Sequence, residues 1–275
     1  MIKAAVLGSP ISHSLSPLLH NHAYSFLGIA GEYSAIEVKH GELAKFLSRE
    51  AKNGFNGFSL TMPLKEDVIE LGIQVSAQAQ RIRSANTIIF TGGEAQATST
   101  DLTAFQRLIP VTALSRVSVI GAGGTARALL GALDGKVPQL ELFVRSTSKA
   151  QGLAAALDST ELIVKDISEL SADVLSNRDW LISTVPAGVT DSFAEEISQA
   201  KIDLSGLKFC EVLYNPWPTD LLLAMKSSGS STLDGLDLLV EQALDQIQLM
   251  TGLSFDYTSM REELLKVGLK ALHRD

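Results

Sequence analysis

Short runs rich in Val, Ile, Leu and Phe alternate along the chain with stretches whose apolar positions recur every three or four residues. The runs predict strands and the stretches predict helices, so the chain reads as α/β with largely parallel sheets. In the first hundred residues, strands are expected at 3–7, 32–38, 57–61 and 87–90, the last followed by a turn at Gly92 and Gly93. Helices are expected at 16–27, 42–51 and through 63–83. After a helix near 103–113 comes a second series, with strands at 117–120, 140–144, 162–164, 181–184 and 209–213 separated by helical stretches. That spacing is the rhythm of a doubly wound sheet. Leu236, Val240, Ala243, Ile247 and Met250 then follow one another by four, three, four and three positions, one apolar stripe on a helix over 235–251. Coming after the second series, this helix is expected to return to the first domain, making it discontinuous, with hinges near Asp101 and Gly235.

Charge removes two classes of partner. With 23 Lys and Arg against 31 Asp and Glu, the net charge is 23 − 31 = −8, which leaves no basic footprint for nucleic acid or an anionic membrane. Residues 4–31 carry no Asp, Glu, Lys or Arg, yet histidines, prolines and serines break the continuous apolar run that a bilayer requires. Nor does the segment have the flanks of a signal peptide. The single cysteine, Cys210, excludes an intrachain disulfide, a CxxC pair and a cysteine-based zinc site, and reads as a small core residue. A reducing, cytoplasmic setting is expected. His20 and His22 stand two apart on an expected helix and point to different faces, so no metal site is expected there.

The strand at 117–120 runs directly into GAGGTARALLGAL. Gly121 can make the tight turn, Gly123 lets the backbone approach a pyrophosphate, and Ala126 takes the close-packing third position of a GxGxxG/A fingerprint. The same spacing occurs in structural turns, but its place between strand and helix favours a dinucleotide. Gly121, Ala122, Gly123, Gly124, Thr125 and Ala126 are therefore the candidate phosphate cradle, at a helix N-terminus. An acid at the end of the next strand would bind the ribose diol of NAD; here Arg145, Ser146, Thr147, Ser148 and Lys149 follow instead. Arg145, Ser146 and Lys149 suit a 2′-phosphate, which points to NADP. A solvated helix start capped by Ser146 or Thr147 is the alternative reading.

Three polar clusters, at 9–17, 59–67, and 84–87 with 99–101, sit where strands end, the usual place for a ligand in an open α/β sheet. Their hydroxyls, one amide, one ammonium and one carboxylate suit a small polyhydroxylated acid. With GSPISHSLSP, TMPLKE, SANT, STD, GAGGTARA, VRSTSKA, EVLYNPWPT and DGLDLLVEQA in that order, the chain closely resembles the shikimate dehydrogenase family. The resemblance covers nearly its whole length.

It implies a discontinuous α/β substrate-binding domain (1–101 with the C-terminal helices of 236–275) and a Rossmann-type NADP domain (102–235), with the active site in the cleft between them. It implies reversible NADP-linked reduction of 3-dehydroshikimate to shikimate, on the route to chorismate and the aromatic amino acids. Lys65 and Asp101 would be the catalytic pair. Ser14 and Ser16 would hold the substrate carboxylate, and Asn86, Thr61, Gln242 and Tyr214 would complete the substrate contacts. Gly235 would offer backbone atoms to the nicotinamide. No metal is required, and a monomer or homodimer is expected. The chain departs from the family's pattern at Ser59, where an amide is usual, and at Ser99, Leu102, Val144 and Leu238. These departures bear on affinity and cofactor preference. A quinate/shikimate dehydrogenase using NAD, or a non-catalytic shikimate sensor on the same fold, are the rival readings.

Overall fold

The structure is a computed structural model that describes residues 1–50 and 53–273, the side chains of Lys149 and Gln151 excepted. It divides into two compact units, Met1–Ala104 with Leu239–Asp275, and Phe105–Leu238.

The first unit is a six-stranded sheet in the order β2-β1-β3-β5-β6-β4. Its strands are β1 (Ile2–Gly8), β2 (Gly31–Glu37), β3 (Gly57–Leu60), β4 (Gln74–Val75), β5 (Thr87–Thr91) and β6 (Glu94–Thr98). β1 runs parallel to β2 and β3, as apolar strands buried on both faces do, and its last five residues are all buried. Pairing is largely parallel, as expected, and β4 is parallel to β6; the exception is β5, which is antiparallel to both β3 and β6. Gly92 and Gly93, both at positive φ, close the β5–β6 hairpin. The helices of this unit are α1 (Ser16–Phe26), α2 (Leu43–Glu50), α3 (Leu64–Asp67), α4 (Ala77–Ile82) and α5 (Thr100–Leu108). Residue 51, the expected end of α2, lies outside the described residues. The segment expected to be helical through 63–83 is interrupted by β4, which pairs with β6. α5 begins at Thr100 rather than near 103, because the Ser99 hydroxyl accepts a hydrogen bond from Leu102 N–H and starts the helix early. Asp101 therefore stands in the first turn of a helix.

The second unit is a wholly parallel sheet in the order β12-β11-β10-β7-β8-β9, the doubly wound arrangement. Its strands are β7 (Val117–Ile120), β8 (Gln139–Val144), β9 (Glu161–Asp166), β10 (Trp180–Ser183), β11 (Lys208–Glu211) and β12 (Ser231–Leu233). The helices are α6 (Gly124–Leu133), α7 (Thr147–Ala154), α8 (Ala172–Leu175), α9 (Asp191–Ala200) and α10 (Asp220–Ser227). Cys210, on β11, is fully buried. Two further helices, α11 (Gly235–Thr251) and α12 (Tyr257–Leu272), end the chain. All five residues of the α11 apolar stripe are buried. The chain leaves the first unit inside α5 and re-enters it inside α11, so both passages run through helix rather than loop. No helix among the described residues is long and apolar enough to cross a membrane.

Candidate functional site

In the first unit the strand ends bring three of the polar clusters to one place. Lys65 lies in the first turn of α3, just past the end of β3, and its carbonyl accepts from Ala85 N–H at 2.8 Å. Asn86 follows, and its carbonyl accepts from Leu60 N–H at 2.8 Å. These backbone bonds hold the lysine and the amide against the carboxyl ends of the strands. The Lys65 Nζ donates to Asp101 Oδ2 at 2.6 Å, with only 16% and 6% of the two side chains exposed. Asn86 Nδ2 donates to the other oxygen, Asp101 Oδ1, at 2.8 Å. Asn86 Oδ1 in turn accepts from the N–H groups of Thr100 (2.7 Å) and Asp101 (3.3 Å), which are otherwise orphan donors at the start of α5. One buried amide thus caps a helix and orients the carboxylate that pairs with the lysine.

Gln242, on α11, accepts from Asn86 Nδ2 at 3.3 Å and donates to Leu239 O at 2.6 Å. Lys65, Asn86, Asp101 and Gln242 are therefore linked in one connected cluster. Thr61 is half-buried between β3 and α3. At the start of α1, Ser14 Oγ accepts from Ser16 N–H at 3.3 Å, which leaves its O–H to donate to a ligand. Ser16 itself is buried, and no side chain caps α1.

Two members of this neighbourhood were not anticipated from sequence. Thr100 Oγ1 accepts from Asn86 Nδ2 at 2.9 Å and meets Thr87 Oγ1 at 3.0 Å. Gln246, buried one turn beyond Gln242, bonds to Ser59, Asn86 and Thr87. The available signal was its spacing of four from Gln242, which puts both amides on one helix face.

The second unit carries the glycine loop. Gly121 has φ +109°, and a Cβ there would stand 2.5 Å from Thr184 Oγ1, so the turn between β7 and α6 admits only glycine. Gly123 is the N-cap of α6 without a side-chain cap, and a Cβ on it would meet nothing within 4 Å. The helix start therefore faces open space in which a phosphate can approach the backbone. Ala126 is fully buried, as its close-packing position demands. Past β8, Arg145 is exposed, and Ser146 is the N-cap of α7 without a side-chain cap bond; its Oγ lies 2.9 Å from Ser148 Oγ. The side chain of Lys149 lies outside the described residues. An exposed guanidinium and two hydroxyls, with no acid in residues 145–149, fit the 2′-phosphate of NADP.

Tyr214 is half-buried in the loop after β11. That loop is fastened by Trp217 Nε1 donating to Asp234 at 2.8 Å and by the Thr219 hydroxyl donating to the buried Glu211 carboxylate. Burial raises the Glu211 pKa, with the Thr219 bond opposing and Asp234 adding to the rise. Gly235 donates to Leu213 O at 3.1 Å, and a Cβ on it would fall 2.3 Å from Leu213 C. Among the described residues, no group of three or more His, Cys, Asp or Glu is disposed to hold a metal ion.

Residues 6–88 match the family model described as the shikimate dehydrogenase substrate binding domain. The shikimate dehydrogenase (NADP(+)) of Methanosarcina mazei is 33% identical over 271 residues, which span 95% of this chain and 96% of that protein. The crystal structure of Mycobacterium tuberculosis shikimate dehydrogenase superposes with a TM-score of 0.82 at 31% identity, covering 99% of this chain and 100% of the other. Shikimate 5-dehydrogenase of Thermus thermophilus, solved with NADP(H) and shikimate, gives 0.80 at 27% identity, covering 97% and 100%. Identity at a third of positions, sustained over nearly the whole of both chains, makes this chain a member of the shikimate dehydrogenase family.

Proposed function

We propose that the protein catalyses the reversible NADP-linked reduction of 3-dehydroshikimate to shikimate, with the first unit binding the acid and the second the dinucleotide. The observation that carries the reading is the Lys65–Asp101 pair, 2.6 Å apart and held by Asn86 at the ends of the strands. Ser14 and Ser16 hold the substrate carboxylate by neutral hydrogen bonds, in a segment that has no cation of its own. Asn86, Thr61 and Gln242 take the ring hydroxyls, and Tyr214 contacts the substrate. When bound, NADP accepts or returns the hydride. Lys65 holds the proton of the hydroxyl whose carbon is oxidised, and Asp101 keeps the ammonium in place for that exchange. Gly121, Ala122, Gly123, Gly124, Thr125 and Ala126 receive the pyrophosphate, Arg145, Ser146 and Lys149 the 2′-phosphate, and Gly235 the nicotinamide.

The direct test crosses shikimate and quinate with NADP and NAD and follows formation of reduced nicotinamide. Shikimate with NADP is expected to be the fastest combination. Reduction with none of the four, despite tight shikimate binding, would instead indicate a sensor. Arg145→Ala is expected to raise the KM for NADP about ten- to a hundredfold, as loss of a charge-assisted hydrogen bond does, and to leave the KM for NAD nearly unchanged. Equal effects on the two cofactors would remove Arg145 from the phosphate site.

A further inference from the structure

We infer that Gln246 is a positioning residue for Asn86, acting on its main chain as Gln242 acts on its side chain; the inference rests on the substrate-binding role given to Asn86 above. Gln246 is 1% exposed on α11, set beside the apolar stripe of Leu236, Val240, Ala243, Ile247 and Met250. A buried amide there costs desolvation free energy unless its polar atoms are partnered, and an apolar residue of similar volume avoids that cost.

Its hydrogen-bond partners belong to the site's supporting strands. Its Oε1 accepts from Ser59 Oγ at 2.7 Å, and Ser59 Oγ accepts from Tyr33 O–H at 2.5 Å. Its Nε2 donates to Asn86 O at 3.3 Å and to Thr87 Oγ1 at 3.1 Å. Asn86 O already receives Leu60 N–H, so the peptide of Asn86 is held by the sheet and by α11 together. Gln242, one turn earlier, meets the Asn86 side chain. Two amides on one helix face therefore determine where the Asn86 carboxamide sits, and through it Asp101 and Lys65.

Gln246→Met keeps the side-chain length and loses these hydrogen bonds. In the full-length enzyme it is expected to lower kcat/KM for shikimate by about tenfold or more, because small displacements of positioning groups are costly in rate. The KM for NADP should stay within about twofold, and in an Asn86→Ala background the same substitution should cost less than about twofold, since its route to the substrate is gone. Gln246→Glu retains the acceptor for Ser59 but lacks the donor to Asn86 and Thr87, and is expected to resemble Gln246→Met. Equal losses with and without Asn86, losses that follow the thermal midpoint and both KM values together, or wild-type kinetics in Gln246→Glu would each overturn the inference. A wild-type protein that does not turn over shikimate would overturn the reading of function instead.

Discussion

Replacing Lys65 with alanine is expected to lower kcat for shikimate oxidation by about three orders of magnitude, within the range that loss of a positioned proton-transfer group produces. The KM for NADP should scarcely move, because the glycine loop and Arg145 belong to the other unit. Some stability will also be lost. Asp101 is almost fully buried, and removing its cation leaves a carboxylate steadied by the Asn86 amide without a countercharge beside it. Circular dichroism and a urea titration establish the folded fraction before rates are compared. Asp101→Asn is the informative companion, since it keeps the shape and the Asn86 neighbour while removing the charge. Turnover of folded Lys65→Ala within about tenfold of wild type would refute the assignment, because general acid–base catalysis contributes roughly 10²–10⁴.

Acidification is expected to destabilise the protein through His20. The ring is fully buried and stacked on Tyr33 at a centroid distance of 3.9 Å. Burial lowers its pKa to about 3, with Gln246 opposing more weakly. In the unfolded chain the value returns to about 6.5. The unfolded state therefore binds the proton first, and the contribution to stability, fully present above pH 6.5, is lost as the pH falls toward 3. At about 1.4 kcal/mol per pH unit below 6.5, the loss between pH 7.5 and 4.5 is on the order of 3 kcal/mol. Carboxylates also titrate in that window, so the comparison is with His20→Phe, which keeps an aromatic ring against Tyr33 and cannot be protonated. Urea unfolding at the two pH values should show the wild type losing on the order of 3 kcal/mol more than the variant. Parallel losses would mean that His20 is not the group responsible.

The elements with strong apolar runs, β1, β7, β10 and β11, were legible because burial on both faces leaves a continuous hydrophobic signature. β4, β6 and β12 were not. They are drawn largely from Gln, Ala, Ser and Thr, and owe their conformation to a neighbouring strand rather than to their own propensity. The early start of α5 was written in Ser99, Thr100 and Asp101, a capping sequence whose polar residues also read as a ligand-binding cluster at a strand end. Both descriptions apply, since Asp101 is at once first-turn residue and partner of Lys65. Gln246 stayed hidden for a different reason. Its principal partner, Ser59, lies 187 residues away, and only the folded sheet brings the hydroxyl to the amide.

The division of the first unit between the two ends of the chain orders events during synthesis. The second unit is contiguous and has all its residues once translation passes Leu238. The first must wait for the final helices, at about 5–20 residues per second a delay on the order of ten seconds after Ala104 is made. Until then Gly57 lacks the Met250 side chain that packs against it, and Ser59 and Thr87 lack the amide that joins them. Residues 1–104 are thus made before the second unit yet complete their core after it, and their exposed sheet must be kept from aggregating in the meantime.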